Sequence, residues 1–140
     1  MNKGLIDFLE VKIIDTKFEL NNSYEENVDK NVNYEIGFEP VFMINKEDPT
    51  DGLVEIKATF FDESFIEKNN PFYLEMKIRG HFKSKEDGEP LNKYLINCLN
   101  IMTPYIRSYV TTFTSLAGIN PVTIPPINIY DLLDMAESEE

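Results

Sequence analysis

The chain has one cysteine among its 140 residues, so no internal disulfide framework is available to it. The fold must stand on apolar burial, and the cysteine usage fits a reducing compartment. No run approaches the roughly 20 apolar residues that span a bilayer. Basic residues are scarce: 13 Lys and Arg stand against 25 Asp and Glu, a net charge of −12. Such a surface repels phosphate, which argues against nucleic acid and anionic membrane as partners and favours basic or mixed-charge ones. Met1 to Asp7 meets an acid before any apolar stretch of signal-peptide length. Together these absences predict a cytoplasmic protein.

Catalytic chemistry is equally thin. His81 is the single histidine, on the polar side of a strand pattern between Gly80 and Phe82, with no second ligand near it in sequence. Cys98 falls on an apolar helical stripe and reads as a small core residue. No nucleophile elbow, phosphate-binding loop or dinucleotide fingerprint occurs. Asp48-Pro49-Thr50-Asp51-Gly52 is too short for a calcium loop and reads as a tight turn. No enzyme activity, metal or cofactor is expected.

What the sequence does contain is patterned. At 42% hydrophobic and 12% aromatic residues, 140 residues are expected to form one domain over 1–140, with 136–140 an acidic frayed tail. Phe72, Leu74, Met76, Ile78 and Phe82 share one parity against Tyr73, Glu75, Lys77, Arg79, His81 and Lys83. That alternation predicts a strand with one face on a core and one in water. Val54, Ile56, Ala58 and Phe60 repeat it. So do Val32, Tyr34, Ile36, Phe38, Phe42 and Ile44, where Pro40 marks a bulge or an edge. In the first segment the apolar phase slips at Ile13-Ile14, as an inserted bulge residue would make it. Segments of about 12 residues reach ~40 Å, roughly twice the usual strand. The polar stretch from Asn21 to Asn31 is expected to cross an edge of the sheet.

After Gly88-Glu89-Pro90 the period becomes helical through Leu91, Tyr94, Leu95, Cys98, Ile101 and Met102. Thr103-Pro104 reads as a cap and first helical residue, opening a helix that runs to Gly118. Its apolar face is broad, and Ser108, Thr111, Thr112, Thr114 and Ser115 give the other side a small, uncharged surface suited to close packing. Ile119 to Ile127, with three prolines, is extended; Asn128 then caps a short helix that is apolar nearly all round. The fold class is α+β: a four-stranded antiparallel sheet with long strands, followed by two helices packed on one face.

Three stretches of the C-terminal half resemble one family: Pro104-Tyr105-Ile106-Arg107, Pro121-Val122-Thr123-Ile124-Pro125-Pro126-Ile127-Asn128, and Leu132. With Asp15-Thr16-Lys17-Phe18-Glu19 and the spacing of Phe72, Glu75, Gly80 and Phe82, they are similar to the SecB family of export chaperones. The family's Asn-Phe-Asp is Asn128-Ile129-Tyr130 here, with the acid displaced to Asp131, and the tail lacks the family's basic ending. The resemblance implies a homotetramer, a dimer of dimers, acting as an ATP-independent holdase for unfolded polypeptides in protein export. It implies client binding at Tyr34, Ile36, Phe38, Phe42, Ile129, Tyr130 and Leu133. It implies contact with the SecA translocase motor at Asp15, Glu19, Tyr73 and Glu75, and an oligomer interface at Tyr105, Ser108, Thr111, Thr112 and Ser115. Two other roles suit the same residues: a SecB-like chaperone dedicated to an antitoxin or other single client, and a small-molecule carrier.

Overall fold

The computed structural model describes residues 6–25, 34–85 and 89–124. They form β1 (Ile6–Leu20), β2 (Ile36–Ile44), β3 (Asp51–Phe60), β4 (Phe72–Ser84), a 3-10 turn (Leu91–Tyr94) and α1 (Leu95–Leu116). The strands make one antiparallel sheet in the order β1-β4-β3-β2. β1 and β2 lie at opposite edges, so the segment joining them cannot be a hairpin.

Parity decides the core. Every second residue of β3 and β4, from Val54 to Phe60 and from Phe72 to Phe82, is buried beneath α1. The helix answers with Cys98, Met102, Ile106, Val110 and Thr114, one i, i+4 stripe, plus Leu99. Gly80 lies where the layers come closest: a Cβ there would meet the Phe82 ring at 2.7 Å and Met102 Sδ at 3.0 Å. The edge strands are covered less, because α1 packs on β4 and β3. Ile13 pairs with Ile78 and shares its face, yet stays 45% exposed.

β1 is longer than the pattern suggests and carries two bulges. One is the slip expected at Ile13-Ile14; the other, at Leu9, stands between Phe8 and Glu10. Pro40 is on the edge strand β2, paired with Ile56 of β3, in keeping with the confinement of strand prolines to edges and bulges.

Two expectations about the helices need correction. No helix begins at Thr103-Pro104, since α1 runs through Pro104 without a break. Proline removes the N–H that would bond the carbonyl of Asn100. Thr103 Oγ1 donates to that same carbonyl at 3.3 Å, and Pro104 itself is exposed. Thr114 is not on the outer side. It is wholly buried, donates to Val110 O at 2.8 Å, and its oxygen accepts from Val122 N–H at 2.9 Å.

The helix ends as expected at Gly118, whose φ of +86° allows the paired closing bonds from Gly118 N–H to Ser115 O and from Ile119 N–H to Thr114 O. Beyond it the extended chain returns along α1 and buries Val122 and Ile124. Among the described residues there is one α-helix where two are expected. The residues expected to form the second, from Asn128 on, and the frayed tail at 136–140 lie outside them, as does Val32.

Candidate polypeptide-binding site

One end of the sheet carries a chain of aromatic rings. Phe113 of α1 meets Phe18 edge-on at 5.2 Å, Phe18 meets Phe72 at 5.9 Å, and Phe72 meets Phe61 edge-on at 5.3 Å. Tyr34 closes the chain against Phe61 at 5.6 Å and Phe72 at 6.3 Å. Phe61 and Phe72 are buried, while Tyr34 is exposed. Beside it opens a pocket of about 450 Å³, lined by Leu20, Tyr24, Tyr34, Phe72 and Ile119, with Asn21, Asn22 and Asn120 among its polar wall residues. Apolar walls with a few amides suit an apolar side chain on a polypeptide backbone.

From this pocket an apolar strip follows β2. Ile36, Phe38 and Phe42 pair with Phe60, Ala58 and Val54, pack against the core and remain half-buried. With Tyr34 they are the described part of the client-binding set read from the sequence, and the fold brings them into one line. Ile129, Tyr130 and Leu133 lie outside the described residues.

Asp15, Glu19, Tyr73 and Glu75 also come together, on the outer face of β1 and β4. Glu19 stands opposite Tyr73, and Asp15 opposite Lys77. Glu75 is not a free acid, because Lys17 is 3.4 Å and Lys57 3.9 Å from its carboxylate. Tyr73 donates to Glu75 at 3.3 Å. Burial first, then the Glu75 charge, hold the Tyr73 phenol above its usual pKa.

Of the oligomer-interface set, Tyr105, Ser108, Thr112 and Ser115 are exposed on α1. Thr111 is half-buried and donates to Val122 O at 2.8 Å within its own chain. Arg107, Ser108, Thr111, Thr112 and Thr123 border an open hollow of about 370 Å³ between the helix and the returning chain.

His81 and Cys98 are both engaged by their surroundings. His81 Nε2 is 2.6 Å from Asp51 Oδ1, a partner on the neighbouring strand that sequence order conceals. Burial of Cys98 pushes its thiol up to about 12, which makes it a poor nucleophile at neutral pH. Among the described residues no group of three or more His, Cys, Asp or Glu side chains gathers to hold a metal, and no helix is long and apolar enough to cross a membrane.

Sequence reading missed the Phe61–Phe72–Phe18–Phe113 chain, because these residues come from four separate elements. The one available signal was Phe61 itself, an aromatic that follows Phe60 and breaks the alternation of β3.

No family model matches the chain. An uncharacterised protein of Methanocaldococcus jannaschii is 30% identical over 114 residues, 80% of this chain and 72% of that one. The protein-export protein SecB of Chromobacterium violaceum is 32% identical over 84 residues, covering 59% of this chain and 56% of its own. SecB 1 of Polaromonas naphthalenivorans is 27% identical over 115 residues, 71% of this chain and 74% of its own. Among solved structures, the Mycobacterium tuberculosis SecB-like chaperone Rv1957, in complex with a ChAD peptide from the Rv1956 HigA1 antitoxin, superposes with a TM-score of 0.69. The match spans 88% of this chain and 91% of that one at 15% identity, a likeness of fold. Sequence and fold point the same way: the chain is SecB-like, similar to SecB proteins over much of its length and to a SecB-like chaperone in its fold.

Proposed function

We propose that the protein is a chaperone that holds non-native polypeptide segments along β2 and in the pocket at Tyr34, without ATP or any cofactor. The observation that carries this reading is the half-exposed strip Ile36, Phe38 and Phe42 running into the exposed Tyr34. These side chains share a face with the sealed core, but α1 does not cover them. Each client side chain buried there gains about 1.5–3 kcal/mol, so several weak sites in a row hold a chain without strong sequence preference. The acidic surface keeps such an open apolar strip soluble. Ile129, Tyr130 and Leu133 are proposed as the opposite wall.

The test is aggregation of a denatured client followed by light scattering. Tyr34→Ser and the pair Tyr130→Ser with Leu133→Ser should each weaken suppression while leaving the fold intact. Full suppression combined with a large loss of melting temperature would make these residues core and end the groove assignment.

We further propose a cytoplasmic homotetramer, with a dimer as second choice, built through the α1 face of Tyr105, Ser108, Thr111, Thr112 and Ser115. Thr111 also bonds its own chain, so Thr112→Glu is the better probe; a wild-type monomer at micromolar concentration would overturn the proposal. For the partner, one observation bears on the choice between a general export role and a dedicated client. Lys17 and Lys57 pair Glu75 on the face proposed to meet the SecA motor, which weakens that patch. This favours a dedicated client, and the relative solved with an antitoxin peptide supplies its chemical model. Binding of the motor that disappears on reversal of Asp15, Glu19 and Glu75 together would restore the export reading.

A further inference from the structure

The two shoulders of the segment joining β1 to β2 are both tied to the connection between β3 and β4. At the first shoulder, Asn21 N–H donates to Pro71 O and the Asn21 amide donates to Asn70 O, each at 3.0 Å. Four residues on, Glu25 is held at both of its backbone groups by one side chain. Its N–H donates to Asn69 Oδ1, and Asn69 Nδ2 donates back to its carbonyl, again at 3.0 Å. At the other shoulder, Phe61 N–H donates to Glu35 O at 2.8 Å.

The β3–β4 connection adopts unusual backbone geometry to do this. Phe61 and Asn69 are the non-glycine residues with positive φ among those described, at +66° and +55°. Asparagine tolerates that region; for a bulky phenylalanine it is strained, and strain persists where surroundings over-determine it. Both residues border the binding pocket without contributing to its surface. Phe61 packs its ring against that of Tyr34, and Asn69 fixes the backbone next to Tyr24, a residue of the pocket wall.

We propose that Asn69 is a positioning residue for the polypeptide-binding pocket: its amide pre-forms the wall from Leu20 to Tyr24, so that a client segment meets a set site rather than one it must order. The inference rests on the reading of the pocket at Tyr34 as a client site. An ordered wall lowers the conformational cost of binding and lengthens residence, since differences within one interface fall mostly on dissociation. The bonds of Asn69 to Glu25 are solvent-exposed, so they add little to global stability and act on the local shape.

The choice of variants separates position from stability. Asn69→Gly keeps the left-handed backbone at no strain and deletes both bonds to Glu25. Asn69→Asp keeps an acceptor for Glu25 N–H but loses the donor to its carbonyl. Tyr34→Ser tests the pocket itself. The probe is a fluorescein-labelled unstructured peptide carrying Phe and Leu among Ser, Gly and Lys, followed by anisotropy and stopped-flow dissociation, with melting temperature measured alongside. Asn69→Gly should weaken binding roughly 5- to 20-fold, mainly through faster dissociation, at a melting temperature within about 2 °C of wild type. Asn69→Asp should fall between the two. Wild-type binding by Asn69→Gly, while Tyr34→Ser binds weakly, would overturn the positioning role and leave the client site standing. So would an Asn69→Gly defect that merely tracks a large fall in melting temperature. Wild-type binding by Tyr34→Ser would remove the client site, and the positioning role with it.

Discussion

The inner face of the sheet is one surface treated in two ways. Under α1, the inward residues of β3 and β4 are sealed: Ile56, Leu74, Met76 and Phe82 expose nothing. One strand further out, on the same face and with the same apolar chemistry, Ile36, Phe38 and Phe42 stay half-open and Tyr34 is exposed. The difference is reach. A helix is about 10 Å across and strands are about 4.8 Å apart, so one helix covers two strands and leaves the flanks of a four-stranded sheet. Stability is therefore concentrated at the centre, and the apolar surface left open, which we propose binds clients, lies at the margin.

The comparison breaks most visibly at the centre. Phe82→Ala removes a fully buried ring stacked on Phe8 and should cost about 3–5 kcal/mol, seen in chemical denaturation. Thr114→Val comes next. It strands the buried Val122 N–H and should cost about 1–3 kcal/mol, while loosening the chain after Gly118. Its signature would be faster hydrogen exchange at Val122 with the sheet unaffected.

At the margin the order of effects inverts. Tyr34→Ser should change stability by about 1 kcal/mol or less, yet weaken suppression of client aggregation clearly. A large stability loss there would erase the distinction between the two zones.

Acid acts on the turns and on the start of β3 rather than on either zone. The Thr50 hydroxyl, followed by its N–H, holds the Asp48 carboxyl below its usual pKa. Partial burial pushes Asp51 upward, but hydrogen bonds from His81 and Asn45 outweigh it and leave it lowered. Lys68, with Ser64 N–H, lowers Asp62. A lowered folded pKa adds stability above the unfolded value and loses it as pH falls through the folded one. The melting temperature should therefore hold steady from neutrality to about pH 5 and decline below about pH 4. Asp51→Asn should flatten part of that decline.

The smallest effect is expected on the outer face. Glu75→Gln breaks partly exposed pairs with Lys17 and Lys57 and should shift stability by about 1 kcal/mol or less. A larger loss would mean that cross-strand ion pairs order this face as firmly as packing orders the other.

Much of this plan is legible in the residues. Strict alternation in β3 and β4 identified the sealed face, because a two-residue period leaves no other assignment. The phase slip at Ile13-Ile14 announced a bulge, and Gly118 marked the end of the helix. Pro104 misled, because the hydroxyl that compensates for it belongs to the residue just before. Thr114 misled too, because a hydroxyl on a core stripe reads as polar until its partner, Val122, folds back onto it.

Sequence by itself determined which residues of the central strands face inward, where the strands run and where the main helix ends. Those properties depend on neighbours a few positions apart. Tertiary structure alone decided the strand order, which sets β1 beside β4 and leaves β2 at a margin. It also decided the meeting of Phe18, Tyr34, Phe61, Phe72 and Phe113, and the hold of Asn69 on Glu25 across 44 positions. Whether an apolar residue is sealed or open depends on how far a helix reaches across a sheet, and that distance is not written in the period of either.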